Sequence, residues 1–286
     1  MASLIDLRRR IRSVKNTQQI TKAMKMVSAA KLRRAHERVL AARPFAINYA
    51  KLLANVVAAA AADDKVVDHP LLAVRPEKRV QIILLTSDGG LAGAFNANII
   101  KGAQAFVREK EGASFQLEAV GRKGRDFFRR RNLTLSGEHI GVFGKSLFTD
   151  AERIAKAAIE RYANSEVDAV YLIYNEFKSV MSQKLLVSKI LPVPMPEGQQ
   201  TIDYIFEQPP DELLAGMLAN YVGIMLYSAV LESAAAEHAA RMVAMESAST
   251  NASKVIDQLT LNLNRARQAS ITREIIEVVS GAAALE

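Results

Sequence analysis

Hydrophobic positions recur every three or four residues at both ends of the chain, which is the spacing of one face of an α-helix. Near the start, a strict heptad seam is apolar in its first and last thirds. Its members are Leu4, Leu7, Ile11, Val14, Gln18, Thr21, Lys25, Ser28, Leu32, Ala35, Val39 and Ala42. This pattern predicts a helix over residues 4–58, about 80 Å long.

The centre of this seam is polar, and the apolar residues Ile20, Met24 and Val27 each lie one position before a seam residue. We therefore expect the apolar stripe to drift around the helix at this point. The polar run Asn16-Thr17-Gln18-Gln19 leaves two interpretations open. It is either a solvated face or a surface kept for another subunit.

A second long helix is predicted from Pro209-Pro210-Asp211-Glu212, a start that suits a first helical turn, to about Ala283. It would be about 110 Å long. Its heptad seam is mostly small: Arg241, Met245, Ala248, Ala252, Val255, Leu259, Asn262, Ala266 and Ala269. Two long periodic helices without internal stops favour a coiled coil. We predict that they pair antiparallel, with part of the C-terminal helix extending beyond the pair.

Glycine and proline are concentrated between these ends, where short apolar runs alternate with helical patterns. The predicted strands are Val80–Thr86, Phe115–Val120, Ala169–Tyr174 and one within Lys184–Ile190, and the predicted helices are Asn96–Glu111, Arg122–Arg131 and 148–163. This alternation predicts a mostly parallel, Rossmann-like α/β domain. The expected fold is α/β plus a long antiparallel coiled coil, divided into residues 1–60, 61–208 and 209–286.

The turn Ser87–Gly93 follows a predicted strand and precedes a helix, where phosphate-binding loops occur. Its glycine spacing matches neither dinucleotide nor P-loop motifs, so we interpret these glycines as serving a tight turn. A nucleotide site remains the alternative. The carboxylates Glu274 and Glu277 share a helix face but lack the apolar pocket that tunes a general acid, and no catalytic group is predicted.

Charge is uneven, because residues 1–60 carry 13 basic and two acidic side chains, whereas residues 209–286 carry five and nine. The basic segment suits nucleic acid, an anionic membrane or an acidic protein surface. The first 44 residues contain no aromatic side chain on which bases could stack. The sequence has no cysteine, and its four histidines are far apart, so no metal site is expected. We expect neither a signal peptide nor a membrane-spanning segment, because the apolar runs are short.

Three segments resemble the gamma subunits of the rotary F-type ATP synthase. They are Ile11–Val27 with Ala42-Arg43-Pro44-Phe45, then Ala239–Met245 with Asn251, and finally Arg265–Ile275 with Gly281-Ala282. Their order and the central α/β layout agree with that family, so the resemblance spans essentially the whole chain.

The resemblance implies a rotor stalk inside a hexamer of alternating alpha and beta subunits, coupling ion flow across the membrane to ATP synthesis or hydrolysis. It implies one copy per complex, contact with the epsilon subunit and the membrane c-ring, and no cofactor, nucleic acid or catalytic site of its own. The location implied is the cytoplasmic face of the bacterial inner membrane, without insertion into it.

The resemblance also implies partner contacts at particular residues. Lys22, Met24 and Lys25 match a region that meets an acidic beta-subunit segment, and Arg241 lies in the second matching motif. Arg267, Gln268, Thr272 and Glu274 match polar contacts with beta-subunit loops, and Val278–Ala284 a helix tip in an apolar bearing. Tyr204, Phe206 and Glu207 match the foot that faces the ring and epsilon.

Four positions depart from the pattern common in that family. Lys25 stands where glutamate is usual, and Glu246 stands where lysine is usual. In the turn Ser87–Gly93, Gly89 and Ala92 replace an arginine and a cysteine.

Overall fold

The computed structural model describes residues 4–61, 69–131, 133–144, 147–194 and 210–283. The helices are α1 Leu4–Ala61, α2 Phe95–Glu109, α3 Arg122–Arg129, α4 Leu147–Ala163 and α5 Pro210–Ala283. The strands are β1 Arg79–Leu85, β2 Ser114–Val120, β3 Thr134–His139, β4 Ala169–Phe177 and β5 Gln183–Leu191. The predicted α/β fold with two long terminal helices is therefore confirmed.

The chain forms two compact units, one from Met1–Ser28 with Met242–Glu286 and the other from Ala29–Arg241. We call them the helical unit and the sheet unit. Because α1 and α5 each contribute to both, these units do not coincide with the division at residues 60 and 208, which stays a prediction.

The sheet unit is built on five strands in the order β3-β2-β1-β4-β5. Neighbouring strands are parallel except for β4 and β5, which are antiparallel. All of β1 after Arg79 is buried, as expected of a central strand covered on both faces.

Strand β3 was not predicted from the sequence. It lies at the sheet edge, contains Gly137 and has no fully buried side chain, so its pattern lacks the apolar run that marks the other strands. Its position is fixed by pairing with β2 and by a hydrogen bond between His139 Nε2 and Glu118 Oε1 at 2.8 Å.

Gly121, between β2 and α3, has a backbone conformation that requires glycine. Its φ is +95°, and a Cβ atom there would lie 2.0 Å from the carbonyl oxygen of Thr86. The chain can therefore turn from strand to helix directly beside the end of β1.

In the helical unit, α1 and α5 pair antiparallel, as predicted. Gln18 Nε2 donates to Ser253 Oγ at 2.6 Å, and seven residues further along α1 Lys25 forms an ion pair with Glu246, seven residues earlier on α5. The two contacts are therefore one heptad apart on each helix, in opposite chain directions.

The predicted drift of the stripe on α1 is wrong. All twelve heptad positions from Leu4 to Ala42 are buried or half-buried, whereas Ile20 is 59% and Val27 56% exposed. The polar seam residues can be buried because Thr21 Oγ1 donates to the Gln18 carbonyl and Ser28 Oγ to the Met24 carbonyl.

The seam predicted on α5 is correct at Met245, Ala252, Leu259 and Ala266, which are buried or half-buried. Val255 and Asn262 are exposed, and the next residues, Ile256 and Leu263, are turned inward instead. A heptad seam advances by three or four residues at each step, so two neighbouring positions can both fit it. The sequence pattern alone therefore did not show which of the two faces α1.

In the sheet unit, the same two helices pack through apolar residues. Val39 and Val56 on α1, and Val222 and Val230 on α5, are almost fully buried. His238 lines a cavity together with Lys31, Arg34 and Arg38, and its Nδ1 atom is buried without a hydrogen-bond partner.

We predict that exchanging the charges of Lys25 and Glu246 is tolerated. Lys25→Glu alone would place two carboxylates together and lower the free energy of unfolding by about 1 kcal/mol, since exposed ion pairs contribute little. Adding Glu246→Lys should restore it, measured by urea unfolding at low salt. A double variant no more stable than the single variant would contradict this.

We also predict that His238 makes folding weaker in mild acid. Burial, with Arg241 and Lys31 nearby, lowers its pKa to about 4, whereas the unfolded value is about 6.5. Between pH 6.5 and 4, His238 is therefore protonated in the unfolded chain but neutral in the folded chain. Above pH about 6.5 His238 is neutral in both states, and its titration does not change the free energy of unfolding. As the pH falls from 6.5 towards 4, the free energy of unfolding decreases by up to about 3 kcal/mol.

The test is urea unfolding of the parent chain and the His238→Leu variant at several pH values between 7 and 4. The variant should lose less stability than the parent over this range. Equal losses in both proteins would exclude His238 as the source.

Candidate functional site

The outward face of α1 in the helical unit combines exposed apolar and basic side chains. Met26 is 69% exposed and lies beside Val27, while Lys22 and the arginines of the first turns are exposed as well. Exposed apolar clusters of this kind mark interaction surfaces. Sequence analysis missed Ile20 and Val27 as surface residues because it assigned them to the apolar stripe.

The three residues of α1 that were predicted to meet a partner differ from one another in exposure. Lys22 is exposed, Met24 is half-buried, and Lys25 is directed towards α5 by its ion pair with Glu246. Lys25 and Glu246 are the two charge departures noted from the sequence. They form one pair, so each reversal compensates the other within this chain.

The C-terminal part of α5 forms a second exposed surface. Arg267, Gln268, Thr272 and Glu274 are all exposed, as a contact role requires. Thr272 Oγ1 donates to the Gln268 carbonyl at 3.0 Å, and Ser270 Oγ donates to Glu274 Oε1 at 3.2 Å. Two predicted contact residues are therefore held by neighbours one turn away.

Beyond this cluster the helix presents apolar side chains to solvent. Every side chain from Ile271 to Ser280 is exposed, including Ile275, Ile276, Val278 and Val279. The predicted extension of the C-terminal helix beyond the helix pair agrees with this exposure. Of the proposed tip Val278–Ala284, only residues up to Ser280 have described side chains.

Arg241, also predicted to contact a partner, lies in the sheet unit and is largely covered. Its Nη2 atom pairs with Glu237 Oε1 at 2.7 Å and donates to the carbonyl oxygen of Gly90 at 3.2 Å. Burial raises the pKa of the Glu237 carboxyl, and the Arg241 guanidinium opposes that rise. Tyr204, Phe206 and Glu207 lie outside the described residues.

The turn Ser87–Gly93 leads from the carboxyl end of β1. Between β1 and β4 the strand order reverses, and open α/β sheets bind ligands in the crevice at such a point. Here α5 lies at that crevice, with Arg241 on Gly90 beyond β1 and Glu232 on Phe177 at the end of β4. The chain's own helix occupies the position of a ligand.

The anion position at the start of α3 is taken by a side chain. Asp88 Oδ1 accepts the N–H of Arg122 at 2.9 Å, and Oδ2 accepts the N–H of Gly141 at 2.8 Å. A phosphate would use the same helix-terminal donor. Asp88 of the turn thereby connects it to the start of α3 and to Gly141, a structural role that agrees with interpreting Ser87–Gly93 as a tight turn.

Glu118 is the most enclosed carboxylate near the sheet edge. Gln81 Nε2 at 2.5 Å, His139 and Arg161 all approach it. Burial alone would raise its pKa, but the hydrogen bonds from His139 and Arg161 outweigh burial and lower it. Such a saturated carboxylate holds β2, β3 and α4 together. In the described parts of the chain, no three His, Cys, Asp or Glu side chains form a metal-binding group.

Three residues to which the sequence analysis assigned no contact form a junction between both long helices and the sheet, although Arg43 lies in the family-like segment Ala42-Arg43-Pro44-Phe45. We call Arg43, Phe177 and Glu232 the Phe177 clamp. Arg43 Nε donates to Glu232 Oε1 at 2.8 Å, Arg43 Nη2 donates to the Phe177 carbonyl at 3.0 Å, and the Phe177 N–H donates to Glu232 Oε2 at 3.0 Å. The available signal was Glu232, a carboxylate beside an alanine run.

Within Leu213–Ser280 of α5, one 18-residue window has a mean hydropathy of 1.6, enough by length and composition for a membrane span. In the structure 44% of that window is buried. A core helix has the same composition, so the prediction of no membrane insertion stays a prediction.

The chain is similar to known proteins over almost its whole length. The family model described as ATP synthase matches residues 3–285. An ATP synthase gamma chain of Solibacter usitatus is 59% identical over 286 residues, all of both chains. A gamma chain of Pelotomaculum thermopropionicum is 49% identical, again over all of both chains.

Solved structures give the same relationship for the fold. A chain of the Tetrahymena thermophila mitochondrial ATP synthase central stalk and c-ring has a TM-score of 0.62 and 27% identity, covering 80% of this chain and 99% of its own. A chain of the Euglena gracilis mitochondrial ATP synthase has a TM-score of 0.69 at 19% identity, covering 99% and 94%. The chain, similar over its whole length to bacterial gamma chains, belongs to the ATP synthase family.

Proposed function

We propose that this chain is the central rotor stalk of an ATP synthase, turning inside a hexamer of alpha and beta subunits and coupling ion flow to ATP synthesis or hydrolysis. The observation that carries the proposal is 59% identity to an ATP synthase gamma chain over the full length. The helix pair, with exposed apolar and basic faces, supplies surfaces suited to such a partner.

The physical task of a stalk is to contact three equivalent sites unequally. A ligand with equal affinity for two states shifts neither, so a rotor acts only if its contact free energies differ between orientations. The helical unit offers different surfaces for such contacts, because Met26 and Val27 are exposed on α1 within the antiparallel pair, whereas Ile275 and Val278 are exposed on the part of α5 that extends beyond it.

The finer parts of the proposal follow from the resemblance and from charge. Lys22, Met24 and Lys25 would lie near an acidic segment of the beta subunit, and Arg241 would be a further partner-binding residue. Tyr204, Phe206 and Glu207 would face epsilon and the c-ring. One copy per complex, peripheral at the cytoplasmic face of the inner membrane, would serve without catalysing a reaction itself.

The proposal is tested by purifying the tagged chain from source-cell membranes and measuring subunit stoichiometry and ATP hydrolysis in the eluate. We expect one copy for three alpha and three beta subunits, together with ATPase activity. Recovery with nucleic acid and without these subunits would contradict the proposal and favour a role for the basic N-terminal segment in binding nucleic acid.

Arg267→Ala and Gln268→Ala should each lower ATP turnover of the membrane-bound complex by about tenfold, the effect of losing a charge-assisted or buried hydrogen bond. Both side chains are exposed in the chain alone, so its fold should be unaffected. Arg129→Ala, at an exposed position of α3, is the matched control and should retain turnover. Normal turnover in both test variants would remove these residues from the contact surface.

A further inference from the structure

The Phe177 clamp joins three elements at one residue of the sheet. Arg43 comes from α1 and Glu232 from α5, and both bind the backbone of Phe177 at the end of β4. The His36 ring of α1 also packs edge-on against the Phe177 ring, with centroids 5.3 Å apart. Both long helices therefore hold the same point of the sheet unit.

The backbone of Phe177 fixes which helix carries which charge. Its carbonyl needs a donor and its N–H needs an acceptor, while guanidinium only donates and carboxylate only accepts. Arg43 on α1 and Glu232 on α5 satisfy both groups and each other. Exchanging the two side chains would keep their attraction but would present an acceptor to the carbonyl and a donor to the N–H.

The Glu232 side chain of the clamp is buried, which makes the loss of its partner costly. The Glu232 side chain is 7% exposed and Arg43 is 39% exposed. The hydrogen bond to Glu232 raises the pKa of Arg43, and the guanidinium is protonated at neutral pH in any case. Removing one partner would leave the Glu232 carboxylate buried without compensation, which costs more than losing an exposed pair.

The clamp differs from the other charge pair between the long helices. Lys25 and Glu246 are both about half exposed, and they form an ion pair with each other across the helix pair. The Arg241 contact at Gly90 uses α5 alone. Among the described residues, Phe177 at the end of β4 is the strand residue whose backbone forms hydrogen bonds with side chains of both α1 and α5.

We infer that the Phe177 clamp transmits torsional force between the sheet and the two long helices, and that Arg43 and Glu232 are positioning residues for coupling. This inference rests on the proposed function, since it needs a stalk under torque. Without the clamp, the sheet would shift against the helices under load, and hydrolysis would proceed with less ion movement per ATP.

The experiment uses the whole ATP synthase in inverted membrane vesicles, measuring ATP-driven ion pumping and ATP hydrolysis together. The variants are Arg43→Lys, Glu232→Gln and the exchanged pair Arg43→Glu with Glu232→Arg. Lysine keeps the charge but cannot reach carboxylate and carbonyl with a planar fork, and glutamine keeps the shape but loses the charge. Arg33→Ala, which breaks the exposed Arg33–Glu37 pair on α1, is the matched control.

We expect Arg43→Lys and Glu232→Gln to assemble with near-normal hydrolysis but with pumping per ATP about threefold to tenfold lower, the change that one hydrogen bond of ordinary net strength produces. The exchanged pair should not recover coupling. The control should match the parent. A fall in hydrolysis and pumping by the same factor would indicate a structural role and overturn the inference.

Unchanged pumping per ATP in both single variants would also overturn it, as would full recovery in the exchanged pair, because then charge attraction alone would suffice. Failure of only the variants to assemble would place the clamp in folding and contradict a role in force transmission. Failure of the parent chain to co-purify with alpha and beta subunits would instead refute the proposed function.

Discussion

One buried carboxylate, Glu232, sets the geometry of the sheet unit. It lies beside an alanine run of α5, where a charge is stable only if donors meet it on both oxygens. Arg43 supplies one donor and the Phe177 backbone the other. With these bonds made, α5 lies at the switch point of the sheet, and Arg241 reaches Gly90 nine residues further along the helix. A crevice that other α/β proteins give to a ligand is thereby used to hold a helix.

The same two helices pair by different chemistry in the two units. In the sheet unit they bury valine and leucine, and the contact is supported by the sheet. In the helical unit the seam contains Thr21, Ser28, Ser249 and Ala252, whose small side chains bury little apolar area. The hydroxyls of Thr21 and Ser28 donate to carbonyl groups of their own helix, so these two buried polar side chains have hydrogen-bond partners. Large apolar side chains such as Val27 in the pair, and Ile275 on the extension of α5 beyond it, are exposed.

Charge pairs in this chain differ in how freely they can change. Lys25 and Glu246 depart together from the usual family pattern, and their side chains meet across the helix pair. Solvated charges that bind only each other can reverse in concert, since the attraction is the same either way. Arg43 and Glu232 also bind backbone groups of fixed polarity, so their order is dictated by Phe177. The two pairs therefore differ mainly in that Arg43 and Glu232 bind the carbonyl and the N–H of Phe177, whereas Lys25 and Glu246 form an ion pair with each other.

The sequence by itself determined the two long helices and the alternation of the central α/β elements, because each is a local periodicity. It did not determine that the buried stripe of α1 keeps to the strict heptad seam, since Ile20 and Val27 offered a second stripe that the structure leaves exposed. The residues around Arg267 were inferred from the resemblance to a family, and the structure shows that they are exposed. Tertiary structure decided the rest. Strand β3 exists because β2 offers it an edge, and Ile256 turns inward in place of Val255 because α1 selects one of two neighbouring positions. Arg43, Phe177 and Glu232 are far apart in sequence, and only the fold of the sheet unit brings their donors and acceptors together.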